Sequence, residues 1–334
     1  MKVAVLMGGS SPERQVSRAS GCQVGRALRE RGYTVAVVDT LLGVLDRLQE
    51  EEVLEAGVLP PSPAPPSVFP GGYLDVLRLP VVQEADLCFL ALHGGDGENG
   101  MLQTLLELEG KAFTGSGRIG CTLAMDKQVA KRLLRDAGIP TPEWITGPAE
   151  PDDVVARLGL PVIVKPYSGG STLGITLAHS VEELREAIVR SREHHAGVIF
   201  ERYIPGREFT VGVVGGEALP VGEIIPAHEI FDYECKYLPG LAEEIFPADL
   251  PEESRALLQR RALEVFRALR MDDLTRVDFM LDGEGEAWCL EANALPGLTG
   301  NSLLPRAAAA GGMAFPDLCH RIATLALERA RPHL

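Results

Sequence analysis

Three oxygen donors stand close together near the end of the chain: Asp278, Glu291 and Asn293. Each lies among apolar, β-prone residues. Residues 277–281 and 287–290 read as two strands joined by an Asp-Gly-Glu-Gly turn at 282–285. Folded as a hairpin, they would bring Asp278 alongside Glu291 and Asn293, the latter two sharing a face at the period of two residues that strands impose. Carboxylates and amide carbonyls are hard ligands, and Mg²⁺ is commonly held by one or two carboxylates together with substrate phosphates. The pattern therefore suits a metal–nucleotide complex. Any one of these acids alone would more often be a solvated surface group.

A second stretch, Lys165-Pro166-Tyr167-Ser168-Gly169-Gly170-Ser171-Thr172-Leu173-Gly174, falls between two predicted strands. Glycines let backbone N–H groups approach phosphate oxygens, and the hydroxyls of Ser168, Ser171 and Thr172 add donors. No helix follows directly, so this is neither a P-loop nor a dinucleotide-binding turn. Taken by itself, it could equally be a plain hairpin turn.

The elements that must position these groups alternate at first between strand and helix. Residues 2–7, 34–38 and 87–92 read as strands, and Ser11-Pro12-Glu13 reads as the start of a helix reaching residue 31, with Ser at the N-cap and Pro at N1. This βαβ pattern implies a parallel sheet. The proline-rich stretch 59–66 is expected to be an extended surface connection whose path matters little to chemistry. A helix over 122–137 leads to Gly138-Ile139-Pro140-Thr141-Pro142, a stop and linker. Strands at 162–165, 175–178 and 198–203 with a helix at 181–192 form a small α+β unit. Strands at 208–214 and 221–225, an irregular loop over 228–246, a helix at 252–269, the acidic hairpin, and helices at 303–310 and 315–330 complete the chain.

Composition narrows the partners. With 334 residues, 46% apolar and 24% charged, the chain is an ordinary globular sequence of two or three domains. A net charge of −15 argues against nucleic acid or an anionic membrane, since such binding rests on basic patches. No apolar run approaches the roughly 18 residues of a membrane span. The six cysteines are scattered with no C-x-x-C pair, which suits reduced, buried thiols and a cytoplasmic setting. Only 6 of the 32 basic residues are Lys, so a Lys marks a place where a compact ammonium is wanted, and Lys127, Lys165 and Lys236 all fall in motifs.

Read in order, nine stretches resemble the D-alanine–D-alanine ligases of the ATP-grasp superfamily along nearly the whole chain. They are 8–17 (Gly-Gly-Ser-Ser-Pro-Glu-Arg-Gln-Val-Ser), 91–100 (Ala-Leu-His-Gly-Gly-Asp-Gly-Glu-Asn-Gly), Thr114-Gly115-Ser116-Gly117 and Met125-Asp126-Lys127. The others are the glycine-rich loop, Glu201-Arg202-Tyr203-Ile204 with Glu208, Asp232-Tyr233-Glu234-Cys235-Lys236-Tyr237, Arg276-Val277-Asp278, and the segment from Glu291 to Ser302. The resemblance implies an α/β and α+β protein with a three-domain ATP-grasp architecture: an N-terminal parallel α/β substrate domain (1–120), a central domain with the glycine-rich loop (121–206), and a C-terminal domain with the metal site and a lid loop (207–334). It implies ATP-driven joining of two D-alanines for peptidoglycan, with two Mg²⁺ ions (Mn²⁺ as an alternative) and a homodimer.

The residue roles follow the resemblance. Lys127 and Lys165 would hold the α- and β-phosphates, with Ser168, Gly170 and Ser171 over them. Glu201, Arg202, Tyr203, Ile204 and Glu208 would receive adenine and ribose, and Asp278, Glu291 and Asn293 the metal. Glu13, Ser171 and Tyr237 would form a hydrogen-bonded set around the first D-alanine, whose ammonium goes to Glu13, with His93 near the reacting carboxylate. Arg276 and the Gly297 N–H would serve the oxyanion, Lys236 the substrate, and Ser302 the acceptor carboxylate. From the residues alone, Glu13 could be only a helix-dipole partner, His93 a core histidine and Ser302 an N-cap. Two departures stand out: Asn99 where the family usually has Asp, and Ala294 where Thr is commoner. A related ligase with D-lactate, D-serine or another acceptor is the competing reading, and Lys236-Tyr237 favours D-alanine.

Overall fold

The computed structural model describes residues 1–60, 62–167, 175–194 (side chains to 190), 197–231, 235 and 240–330. Strand β1 (Lys2–Met7) lies at the centre of the first sheet, between β2 (Thr34–Asp39) and β4 (Leu87–Leu90), both parallel to it. The short β3 (Gly43–Val44) pairs antiparallel at the edge, giving the order β3-β2-β1-β4. β1 is apolar on both faces because both are covered: Val3, Val5 and Met7 enter one core, Ala4 and Leu6 the other. The first core also contains Leu318, Ile322 and Ala326 of the Phe315–Ala330 helix, so the last helix of the chain packs on its first sheet. Arg329 of that helix donates to the carbonyls of Phe113 and Gly115 and pairs with Asp273 at 3.2 Å, tying the first sheet to the start of the acidic hairpin.

The first helix is Arg14–Glu30, two residues later than the start expected with Ser11 at the N-cap and Pro12 at N1. Glu13 holds the N-cap position and makes no capping bond with its side chain. The Ser11 hydroxyl accepts from the Glu13 N–H at 3.2 Å and donates to the His93 carbonyl at 2.5 Å. The helix expected over 122–137 is two, Arg118–Met125 and Lys127–Asp136, broken at Asp126. Asp126 turns extended and its carboxylate accepts from the Val129 N–H at 3.0 Å, the usual economy of an N-cap. The break frees the Lys127 N–H to donate to the Tyr167 carbonyl at 3.0 Å, setting this helix start against the mouth of the glycine-rich loop.

The second sheet is antiparallel, β5 (Trp144–Thr146), β8 (Val198–Arg202), β6 (Val162–Pro166), β7 (Thr176–Ala178) in spatial order. The Val181–His194 helix covers it through Leu184, Ala187 and Ile188. The third sheet runs β12-β11-β9-β13-β14, comprising β9 (Gly206–Val214), β11 (Gly222–Pro226), β12 (Ala242–Ile245), β13 (Leu274–Asp282) and β14 (Ala287–Asn293), with β10 (Glu217–Ala218) paired to β9. β12 lies inside the stretch expected to be irregular; residues 242–245 pair antiparallel with β11. The Glu252–Ala268 helix backs this sheet through Leu258, Ala262 and Val265. All six cysteines are free and buried, and among the described residues no helix is long and apolar enough to cross a membrane.

Candidate functional site

The hairpin β13–β14 sets the centre of the site. Asp278 lies opposite Glu291 and Arg276 opposite Asn293, after which a bulge shifts the register so that Phe279 faces Cys289. Arg276 and Asp278, two residues apart on one strand, point to the same side and grip each other: Nε donates to Oδ1 at 3.0 Å and a terminal nitrogen to Oδ2 at 2.8 Å. Thr210 on β9 donates to Oδ1 at 2.7 Å and the Asn293 amide to Oδ2 at 3.1 Å. Burial works against the Arg276 charge, but Asp278 outweighs it and holds the guanidinium more firmly protonated than usual. Glu208, half-buried on β9, is pushed up to about 8 by burial first and then by the charges of Asp278 and Glu291. So much negative charge at one place is what a divalent cation would relieve, and two carboxylates with an amide oxygen are a fitting donor set. Among the described residues no three His, Cys, Asp or Glu side chains converge as a closed metal cluster.

Two cavities meet at this hairpin. One, of about 300 Å³, is lined by Lys165, Glu201–Ile204, Glu208, Asp278, Met280 and Glu291, with Ile163 and Leu290 supplying apolar walls. The other, of about 220 Å³, is lined by Glu13, His93, Asn293, Gly297 and Ser302 among others. Arg276 and Phe231 line both. Lys127 stands beside them, its ammonium 3.4 Å from Glu291.

The smaller cavity opens at the carboxyl ends of β1 and β4, where open parallel sheets characteristically bind ligands. Glu13 reaches it from the start of the first helix, and its carboxylate lies so close to Gly94 that a Cβ there would sit 2.6 Å from it. His93 is buried and stands at the cavity wall. Its Nδ1 lies 3.1 Å from the Leu295 carbonyl, which can only accept, so that nitrogen carries a proton; Nε2 faces the Ser20 hydroxyl at 2.9 Å. Glu98 clasps the two halves of this wall, accepting from the Gly94 N–H at 3.0 Å and the Leu295 N–H at 3.2 Å. Ser302 stands at the N-cap of the Leu303–Ala310 helix, yet its hydroxyl makes no capping bond; it lies 2.8 Å from the Thr299 hydroxyl and accepts from the Thr299 N–H. A Cβ at Gly297 would come within 2.8 Å of the Ser302 hydroxyl, so a side chain there would have to displace Ser302.

Ser168, Gly170, Ser171, Lys236 and Tyr237 lie outside the described residues. The two sequence departures have local explanations. Asn99 is engaged at the start of the Met101–Leu108 helix, where its carbonyl oxygen accepts from the Met101 N–H and its amide donates to Asp96, and it lines neither cavity. Ala294 is buried in the apolar core behind the hairpin.

The sequence reading missed three features. Val58, just before the proline-rich connection, lines the smaller cavity, and Ser62 within the connection accepts from Gln15 at 2.9 Å. Arg207 on β9 forms two bonds of 2.7 Å to Glu223 at the rim of the larger one. Behind that cavity Lys131 is buried against Glu201; its scarcity value as a Lys, four residues after Lys127 on one helix, was the available signal.

Comparison with known proteins gives two family matches along the chain. The family pattern described as "D-ala D-ala ligase N-terminus" matches residues 2–116, and "D-ala D-ala ligase C-terminus" matches residues 133–324. A D-alanine--D-alanine ligase of Synechococcus sp. (strain JA-3-3Ab) is 38% identical, the match covering 99% of this chain and 95% of that one. A ligase of the same name from Gloeobacter violaceus is also 38% identical, covering 98% of this chain and 100% of its own. The crystal structure of the Bacillus anthracis D-alanine--D-alanine ligase superposes with a TM-score of 0.81 at 31% identity, over 99% of this chain and 98% of that one. The same enzyme complexed with ATP gives 0.79 at 30% identity, with the same coverage.

Proposed function

The chain belongs to the D-alanine–D-alanine ligase family, and from that premise we propose how its cleft performs the ATP-dependent, ADP-forming joining of two D-alanines into the dipeptide of peptidoglycan. The observation that carries the reading is the position of Arg276, a buried cation on the wall shared by a large cavity with an apolar slot and a small polar one. A reaction that moves a phosphoryl group from a nucleotide to an amino acid needs those two compartments to meet at a positive charge.

In this reading ATP occupies the larger cavity, its base against Ile163, Met280 and Leu290 and its ribose near Glu208, with Glu201, Arg202, Tyr203 and Ile204 along the edge. Lys127 and Lys165 take the phosphates, together with Ser168, Gly170 and Ser171. Asp278, Glu291 and Asn293 would hold two Mg²⁺ ions, or Mn²⁺, which neutralise phosphate charge when bound. The first D-alanine enters the smaller cavity with its ammonium on Glu13 and its carboxylate toward His93 and Arg276, within reach of the γ-phosphate; Ser171 and Tyr237 complete that subsite. Phosphorylation gives an acyl phosphate, because a free carboxylate is too poor an electrophile for an amine. The second D-alanine, its carboxylate at Ser302 and beside Lys236, attacks through nitrogen. Arg276 and the Gly297 N–H then stabilise the tetrahedral oxyanion before inorganic phosphate leaves.

The three sheets act as three domains with limits near 120 and 206, closing on the substrates and excluding the water that would hydrolyse the acyl phosphate. The enzyme works in the cytoplasm, where ATP is made, as a homodimer.

The purified protein with ATP, Mg²⁺ and D-alanine should release ADP, phosphate and D-alanyl-D-alanine. D-lactate or D-serine in place of the acceptor should support far less product. Equal turnover with D-lactate would assign the acceptor site to a depsipeptide ligase, and turnover with L-amino acids alone would overturn the substrate reading.

A further inference from the structure

Lys131 lies on the Lys127–Asp136 helix with 2% of its surface exposed, and among the described basic side chains this is the least. Its ammonium is 3.2 Å from Glu201 Oε1, donates to the Thr141 hydroxyl at 2.6 Å, and rests 5.4 Å from the centre of the Trp144 ring. The other Glu201 oxygen, Oε2, is 2.7 Å from the Lys165 ammonium. Glu201 is itself buried, on β8, and Lys165 on neighbouring β6, so the three charges form a row that runs from the core to the wall of the larger cavity. Lys131 lines neither cavity.

The charge count gives this row a purpose. Glu201 with Lys165 alone would be a neutral pair, leaving little attraction for polyphosphate. With Lys131 included, the buried row carries a net +1, and the excess charge is expressed at Lys165, its end nearest the cavity. We propose that Lys131 is a positioning residue for nucleotide binding: by neutralising Glu201 from the core side, it leaves the Lys165 ammonium as an uncompensated cation for the phosphates. Burial draws Lys131 down to about 8, opposed by Glu201, with Lys165 adding to the fall. Burial opposes ionisation of Glu201 as well, but the two lysines prevail and keep it below the usual carboxylate range. The 3.2 Å contact is an ion pair without an aligned hydrogen bond at Oε1, which makes the link to Lys131 chiefly one of charge.

This inference rests on the reading of Lys165 as a phosphate ligand, and the test separates the two. ATP with Mg²⁺ and adenosine are titrated calorimetrically at pH 7 into the full-length protein, and the ratio of their dissociation constants is the readout, since adenosine reports the base and ribose contacts but no phosphate. K131M should lower the preference for ATP over adenosine about tenfold, roughly 1.4 kcal/mol. K131M/E201Q, which restores a net +1 to the row, should return it to within about threefold of the original. Should K131M fold poorly, K131Q makes the same charge change and has the same expected result. An unchanged ratio in the single variant, or a double variant no better than the single, would overturn the role of Lys131. If K165M also leaves the ratio unchanged, the fault lies instead in the assignment of Lys165.

Discussion

Replacing Arg276 by Ala is expected to lower kcat by about 10²–10³ while the affinity for ATP changes only a few-fold. The oxyanion exists only on the reaction path, so a donor aimed at it acts on the transition state and not on ground-state nucleotide binding. Arg276 is suited to this because its charge is fixed by Asp278 through two bonds and cannot drift between the cavities. Lys at the same place should restore little, because an ammonium cannot reproduce the planar fork that grips Asp278. Stopped-flow ADP release and equilibrium ATP binding separate the two quantities. A variant with kcat intact and ATP affinity lost would move Arg276 from the reacting centre to the nucleotide.

The other large effect is on stability. Arg14 is buried and binds buried Asp39 at 2.6 and 3.1 Å, with a third bond of 3.0 Å to the Gly9 carbonyl. A Cβ on Gly8 would come within 2.7 Å of both partners, so the ion pair and the turn after β1 fit only together. Arg14→Met leaves the Asp39 carboxylate buried with Arg18 as its remaining cation, at 3.5 Å. Breaking one side of a buried pair typically costs about 3–5 kcal/mol, and denaturant unfolding of the first sheet should show a loss at the lower end of that range. Arg14→Met combined with Asp39→Asn should recover part of it, because the unpaired charge is gone. A single variant as stable as the original would mean the pair contributes nothing net. Because Glu13 precedes Arg14 at the helix start, the same substitution should also raise the KM for D-alanine.

How far the sequence could be read depended on whether a signal was local. The hairpin carrying Asp278 and Glu291 was legible because strand alternation, a Gly-rich turn and pairing register are local properties; the bulge after Asp278 was not, because it answers to how β14 packs on its surroundings. The break at Asp126 was legible in principle, an Asp at an N-cap, but apolar periodicity ran across it. β12 reads Ala-Glu-Glu-Ile, which carries no strand pattern; its conformation comes from edge pairing with β11. At the site, Glu13, His93, Gly297 and Ser302 line one cavity and Lys165 and Glu201 the other. Lys131 and Glu98 are set by burial and Val58 by its place beside a cavity built from distant segments, and neither is visible in spacing along the chain.

The central claim is that the carboxylate of one D-alanine takes the γ-phosphoryl group at Arg276 before the second D-alanine attacks. It is tested most directly by following oxygen. With D-alanine labelled by ¹⁸O in both carboxylate oxygens, an acyl phosphate requires the oxygen that bonded phosphorus to leave with it. One ¹⁸O should therefore appear in inorganic phosphate for each dipeptide formed, read by mass spectrometry or by the isotope shift in the ³¹P spectrum. Phosphate free of label, with dipeptide still produced, would contradict the account.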